Sequence, residues 1–333
     1  MKKNVSLKDI AEQVGVSTAL VSYVLNNKLK NRINKDVAAK IRQAAKDLNY
    51  RPNQIARSLK VQKTFTIGLI VADIANPFFS QIARIIEDEA KNCGYSVIFG
   101  SSDENAEKTS GLIKLLLDRQ VDGLIIALPE HTEEQVQYLK KINVPFVLID
   151  RYYPTIKTNS VSINNFSGAQ QAIQHLLDNG RKRIGIIAYE TSLFHLNERI
   201  RGAVNLLGDN AIVGKVGINS INQDVIAAID KFLAEPDPVD AIFFTSNLLA
   251  VSGLKYINSI GVNIPEQLAV VGFDETDAFD LFYAPVSYVK QPMVELGCEA
   301  VKLLLNTIEN KDNIEFVELD TELVIKRSSI VSK

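Results

Sequence analysis

Cysteine and histidine are scarce in this 333-residue chain, with two of the former and three of the latter. Cys93 and Cys298 are too few for a disulfide framework or a cysteine metal site. Each falls in an apolar helical pattern, so both are expected as buried core thiols. His131, His175 and His195 are scattered without metal-ligand spacing. His175 is expected at a helix surface or partly buried. His195, near Arg199, is expected outside any cleft rather than in one. No apolar run is long enough to span a bilayer, which takes about 18 residues or more. The N-terminus shows no leader pattern, so a cytoplasmic protein without a membrane partner is expected. No glycine-rich dinucleotide fingerprint follows the first strand-like run, and no phosphate-binding loop or nucleophile elbow occurs. These absences argue against an enzyme, a cofactor and a metal.

What the chain does have is an uneven charge. Residues 1–63 hold 14 Lys/Arg and 4 Asp/Glu, a net of +10; the remaining residues hold 23 and 35, a net of −12. A basic head on an acidic body points to a polyanion that meets only the head.

Ser6 and Asp9 form an S-x-x-D capping signature. Leu7, Ile10, Ala11 and Val14 then repeat at helical spacing, and Gly15 suits a helix end. Val16 can plug the corner, and Ser17 can cap a second helix burying Val21, Val24 and Leu25. A third helix from about Asn34 would bury Val37, Ile41, Ala44, Ala45 and Leu48. Two short helices across a glycine turn read as a helix-turn-helix, whose second helix enters the DNA major groove. Thr18, Ala19 and Tyr23 are the base-facing candidates. Ser6, Ser17, Ser22, Asn26 and Lys35 are candidates for phosphate contacts. The plain alternative is a three-helix bundle that docks protein. Pro52 opens a further segment from Asn53 to Lys60, too short for a helix that is stable alone and suited to one ordered by a partner.

The stretches SLKDIAEQVGVSTALVSYVLN (6–26) and YRPNQIARSLK (50–60) resemble the lactose-repressor (LacI/GalR) family. The resemblance implies a ligand-controlled DNA-binding regulator, and a repressor first. It also implies a hinge helix in which Asn53, Ala56, Leu59 and Lys60 meet DNA, with Leu59 as an apolar wedge in the minor groove. Many members carry Arg or His where this chain has Tyr23, so the operator sequence does not carry over.

From residue 64 onward, apolar runs alternate with amphipathic helices. The strand-like runs are 65–71, 96–100, 123–128, 146–149, 184–188, 241–245 and 268–273. Helical runs such as 80–93, 109–119, 168–179, 224–233 and 249–260 lie between them. Such alternation means an α/β fold with parallel sheets, and the length suits two of them. The family resemblance implies a periplasmic-binding-protein-like body of type I: two doubly wound subdomains behind an all-α helix-turn-helix head. The expected divisions are a head at 1–50, a hinge at 51–63 and a body at 64–333. Within the body, one subdomain takes 64–161 and 291–320, and the other 162–290 and 321–333. Crossovers are expected near 161–163, 288–291 and 319–323.

Ligands of such sheets bind beyond the carboxyl ends of the strands. Polar and aromatic residues fall there: Asp73, Asn76, Phe78, Phe79, Asp150, Arg151, Arg199, Asn247, Asp274 and Gln291. Singly each suits a turn or a cap. Together they resemble the set with which ribose-binding proteins and their repressor relatives hold a sugar. Two departures concern ligand identity. Leu248 stands where the family often has Asp after Asn247, and no aromatic occupies 216–222. A purine or another metabolite therefore stays an alternative to a sugar, and a sugar-processing enzyme with a fused head is the remaining rival. The partners implied are pseudo-palindromic double-stranded DNA at the nucleoid, a small-molecule effector and a second copy of the chain. No C-terminal heptad tail argues for a tetramer.

Overall fold

A computed structural model describes residues 5–26, 28, 32–50, 63–310 and 314–330. The chain divides into two compact units, residues 1–64 and 65–333.

In the first unit, helix α1 (Leu7–Val14) is opened by a reciprocal capping box. The Ser6 hydroxyl accepts from Asp9 N, and the Asp9 carboxylate accepts from Ser6 N at 2.7 Å. Gly15 closes it at φ 72°, where glycine has no Cβ penalty. Ser17 Oγ accepts from Leu20 N at 3.2 Å and starts α2 (Thr18–Leu25). Asn34 caps α3 (Lys35–Asp47). Ile10, Val21, Val24 and Ile41 form the buried centre of the three helices, with Leu7, Val14, Val16, Leu25, Val37 and Leu48 partly buried around it.

The second unit contains two six-stranded sheets. Its elements run β1 (Thr66–Val71), α4 (Pro77–Asn92), β2 (Ser96–Ser101), α5 (Ala106–Asp118), β3 (Gly123–Ile126), α6 (Glu133–Lys141), β4 (Phe146–Ile149) and β5 (Ser160–Ile163). Then follow α7 (Asn165–Asp178), β6 (Ile184–Tyr189), α8 (Phe194–Leu207), β7 (Ile212–Val216), α9 (Ile221–Ala234), β8 (Ala241–Phe244) and α10 (Asn247–Ser259). The chain closes with β9 (Ala269–Phe273), α11 (Asp277–Leu281), β10 (Ser287–Lys290), α12 (Met293–Glu309), β11 (Phe316–Leu319) and β12 (Glu322–Val324). The first sheet has the order β11-β5-β4-β3-β1-β2 and is parallel throughout. The second has the order β12-β10-β9-β8-β6-β7, with β12 alone antiparallel. Central strands are buried on both faces, which explains their continuous Ile, Val, Leu and Phe runs.

The chain passes between sheets three times: from β5 through Asn164 to α7, from β10 through Gln291 and Pro292 to α12, and from β11 through Asp320 and Thr321 to β12. The segments 161–163 and 288–290 are therefore strand ends, with the crossing just beyond them. Helices α4, α5, α7 and α9 begin about a turn before their apolar pattern does. Asn76, Asn105 and Asn164 cap three of these helices, so their polar first turns carry no apolar signal.

Two expectations about the core fail. Cys93 is exposed and Cys298 only partly buried. Cys93 lies one residue past the end of α4, where the helix reaches the surface. His175 is buried: its Nε2 lies 2.7 Å from Ser329 Oγ, which pins the C-terminal segment. Among the described residues no helix is long and apolar enough to cross a membrane.

Helices α7 and α8 pack at a contact that only glycine permits. A Cβ on Gly202 would lie 2.2 Å from the Phe166 carbonyl oxygen, which is backbone and cannot swing away. Gly202→Val should destabilise the second unit by about 1–3 kcal/mol, the usual cost of overpacking. With no tryptophan in the chain, the lowered urea midpoint is best followed by far-UV circular dichroism.

Candidate functional site

The head carries one polar face free of its core. Thr18, Ala19 and Tyr23 are exposed along α2, and Ser22 is half-buried beside them. Asn26 Nδ2 donates to the Ser22 carbonyl at 2.8 Å, so this side chain already holds the end of the helix. Ser6 and Ser17 sit at the N-termini of α1 and α2, and Lys35 is exposed in the first turn of α3. Exposed backbone N–H groups at helix starts suit phosphate oxygens. Asn53, Ala56, Leu59 and Lys60 lie outside the described residues.

In the second unit the carboxyl ends of both sheets converge on a cavity of about 200 Å³. Asp73, Asn76, Phe78, Phe79, Asp150 and Arg151 line it from the first sheet, and Arg199, Asp274 and Gln291 from the second or its crossovers. Asn247 does not line it. Its neighbours Ser246 and Leu248 do, while Asn247 is buried on the wall of an adjoining pocket. Asn76 doubles as a helix cap, its Oδ1 accepting from Phe78 N at 3.1 Å.

Asp150 and Asp274 follow β4 and β9, which are third in their respective sheets. Both hold left-handed backbone, at φ 66° and 71°. Such conformations cost on the order of 1–3 kcal/mol and mark positions that the surroundings over-determine. The carboxylates behave differently. Asp274 Oδ1 accepts from Gln291 Nε2 at 2.5 Å, and Asp274 Oδ2 lies 3.5 Å from Arg199 Nη1. Asp150 Oδ1 is buried without a hydrogen-bond partner, as is Gln291 Oε1.

Both arginines are engaged through part of their donor sets, and Arg151 Nε is buried without a hydrogen-bond partner. Arg151 donates from Nη1 and Nη2 to the two oxygens of Glu104, each at 2.7 Å, and from Nη1 to the Leu128 carbonyl. Arg199 donates from Nε to Asn165 Oδ1 and from Nη1 to the Thr245 carbonyl, both at 2.8 Å, and lies 3.7 Å over the Phe273 ring. His195 is buried in the cleft, contrary to expectation. Helix α8 begins at Phe194, so its first turn faces the site. Burial and the charges of Arg151 and Arg199 hold its ring well below the usual histidine range. The ring is therefore neutral, and its Nε2, 3.9 Å from Asp150 Oδ2, makes no ion pair.

Other lining residues escaped the sequence reading: Glu104, Glu130, Tyr189, Thr191 and Leu196, with Ile218 and Ile221 where an aromatic was sought. Most sit just past a strand end, so the rule that found Asp73 and Asp150 would have found Glu104, Glu130 and Thr191 had it been applied to β2, β3 and β6. Glu130 spans the cleft, accepting from Thr191 Oγ1 at 2.6 Å, Ser192 Oγ at 2.9 Å and Ser192 N.

Burial is the main reason the Asp150 carboxyl is pushed up to about 6, against the pull of Arg151 and Arg199. The unfolded carboxyl, near 3.8, loses its proton first. The group's contribution to folding is therefore present below about pH 4 and declines as pH rises to 6. A ligand that donates hydrogen bonds to Asp150 reverses this sign, because it favours the ionised form. Affinity for such a ligand should level off above pH 7. It should fall by up to about tenfold per unit below pH 6. Calorimetric titration between pH 5 and 8 reads this, and a flat profile would remove Asp150 from the binding set.

Residues 6–53 match the family model described as bacterial regulatory proteins, lacI family, and residues 173–329 match that of a periplasmic binding protein-like domain. The chain is 32% identical to the ribose operon repressor of Halalkalibacterium halodurans, covering 97% of each chain. It is 32% identical to catabolite control protein A of Priestia megaterium, over 98% of this chain and 99% of that one. The HTH-type transcriptional repressor PurR of Photobacterium profundum is 29% identical, over 97% of this chain and 98% of that one. Among solved structures, a lac repressor dimer bound to operator and an anti-inducer superposes with TM-score 0.87 at 24% identity, over 99% of this chain and all of that one. A LacI-family regulator from Enterococcus faecium with bound ribose gives TM-score 0.71 at 27% identity, over 80% of this chain and all of that one.

Proposed function

The chain belongs to the lacI family of bacterial regulatory proteins, and from this we propose that it represses transcription under the control of a small sugar held in the cleft. Members of the family are DNA-binding transcriptional repressors with an effector domain, not enzymes. What supports a sugar is the balance of hydrogen-bonding groups. Asp150 Oδ1 and Gln291 Oε1 are buried acceptors without partners, while Nη1 and Nη2 of Arg151 are held by Glu104, and Nε and Nη1 of Arg199 by Asn165 and the Thr245 carbonyl. A ring carrying several hydroxyls supplies the donors this arrangement lacks. Phe78 gives an apolar surface for the C–H face of the ring. The small cavity suits one ring rather than a chain of them.

The working form in this reading is a cytoplasmic homodimer on a pseudo-palindromic operator. The edge strand β2 supports it, since Ile98 and Phe99 are exposed there, Phe99 by 59%. The PurR relatives favour a second reading in which the effector is a purine. Thermal-shift screening of the full chain separates the two. A ligand that binds only the folded state raises stability by about 2.7 kcal/mol at a hundredfold excess over Kd. D-ribose or a hexose should raise the midpoint. A rise with hypoxanthine or guanine, and none with any sugar, would overturn the sugar reading.

A further inference from the structure

Glu104 occupies an unusual backbone. It follows β2, and both Asp103 and Glu104 have left-handed conformations, at φ 53° and 54°. A glutamate gains no local hydrogen bond of the kind that eases asparagine or aspartate into this region. The turn is held from every side. Ser102 N donates to the Val71 carbonyl at 2.9 Å, and Glu104 N to the Ala72 carbonyl at 2.8 Å. Ser101 Oγ donates to Asp103 at 2.6 Å, and Lys108 pairs with the same carboxylate. The product of this strained turn is a carboxylate aimed into the cleft, where both of its oxygens fill the guanidinium fork of Arg151.

That fork is the group most suited to an anionic ligand. Planar, bidentate donation is how arginine recognises phosphate and carboxylate. Arg151 and Arg199 are the arginines lining the cavity, against six carboxylates: Asp73, Glu104, Glu130, Asp150, Glu190 and Asp274. Arg199 is engaged by Asn165, the Thr245 carbonyl and Asp274. If Glu104 were absent, the Nη1 and Nη2 donors of Arg151 would be open to a ligand.

We propose that Glu104 is a specificity-determining residue that closes the cleft to anions, so that the effector is an uncharged polyol and not its phosphorylated or acid form. This deepens the sugar reading above and rests on it for the identity of the neutral ligand. The test uses the full chain and its Glu104→Gln variant, titrated by calorimetry with D-ribose, D-ribose 5-phosphate and inorganic phosphate. The wild type should not bind either phosphate probe. Glu104→Gln should bind both, with a gain of at least about tenfold that weakens as salt rises. Adding Arg151→Gln should abolish that gain. Glu104→Gly removes the carboxylate while suiting the left-handed backbone, and covers the case in which the glutamine variant misfolds. If Glu104 merely held Arg151 in place, its removal would weaken D-ribose binding without any gain for phosphate, and that result would overturn the proposal. Inorganic phosphate reads the filter whether or not D-ribose is the sugar. Failure of D-ribose in the wild type with a phosphate gain in the variant would count against that sugar and leave the filter standing.

Discussion

Arg199→Ala should erase the response to effector while operator binding without effector persists. The guanidinium is 3% exposed and joins three parts of the cleft. Through Asn165 it reaches the crossover after β5, through the Thr245 carbonyl the end of β8, and through Asp274 the end of β9. Asp274 in turn accepts from Gln291, on the crossover after β10. Truncation leaves the Asp274 carboxylate buried beside one remaining donor and strips Asn165 Oδ1 of its partner. Breaking a buried charge pair on one side costs about 3–5 kcal/mol. Effector affinity should fall by about a hundredfold or more, which is roughly 3 kcal/mol. Fluorescence anisotropy on labelled operator, with and without the ligand that raises thermal stability, measures both properties. A variant whose operator affinity still answers to that ligand would show that Arg199 is scaffolding only.

Tyr23→Arg should change which operator the protein prefers. Tyr23 is 42% exposed on α2, on the face shared with Thr18 and Ala19 and opposite the buried Val21 and Val24. A phenol offers a single hydroxyl, whereas a guanidinium can donate to guanine O6 and N7 together. Each good bidentate contact discriminates by about 1–3 kcal/mol, and in the proposed dimer it would act in both half-sites. Selection of binding sites from a random library should then show a guanine enriched symmetrically about the operator centre. An unchanged motif would take Tyr23 out of the reading face.

These two variants also divide what the sequence discloses from what it hides. The head was legible because its signals are local. Ser6, Gly15 and Ser17 fix helix ends within a few residues, and the Ile10, Val21, Val24 and Ile41 core follows from spacing alone. Most central strands were legible because burial on both faces leaves unbroken apolar runs. The buried strands β5 and β10, interrupted by Ser160, Ser162 and Ser287, were read only as crossovers, and β7, β11 and β12 were missed because their half-exposed, mixed sequences resemble loops. The cleft is harder still, because segments after nine strand ends build it and no local pattern links them. His195 was misplaced for this reason: the start of α8 decides its direction, and a helix start without a side-chain cap leaves little trace in sequence. Glu104 was missed because the end of β2 was not searched, and its pairing with Arg151, 47 positions away, leaves no local signal.

The central claim is that cleft and operator are coupled. Linkage requires that the factor by which a ligand changes operator affinity equal the factor by which operator changes ligand affinity, typically about 5–150-fold. Operator titrations at zero and saturating sugar, paired with sugar titrations of the free and the operator-bound protein, measure both factors at one salt concentration. Two equal factors are expected, each well above one. A sugar that binds tightly and leaves operator affinity unchanged would contradict that claim.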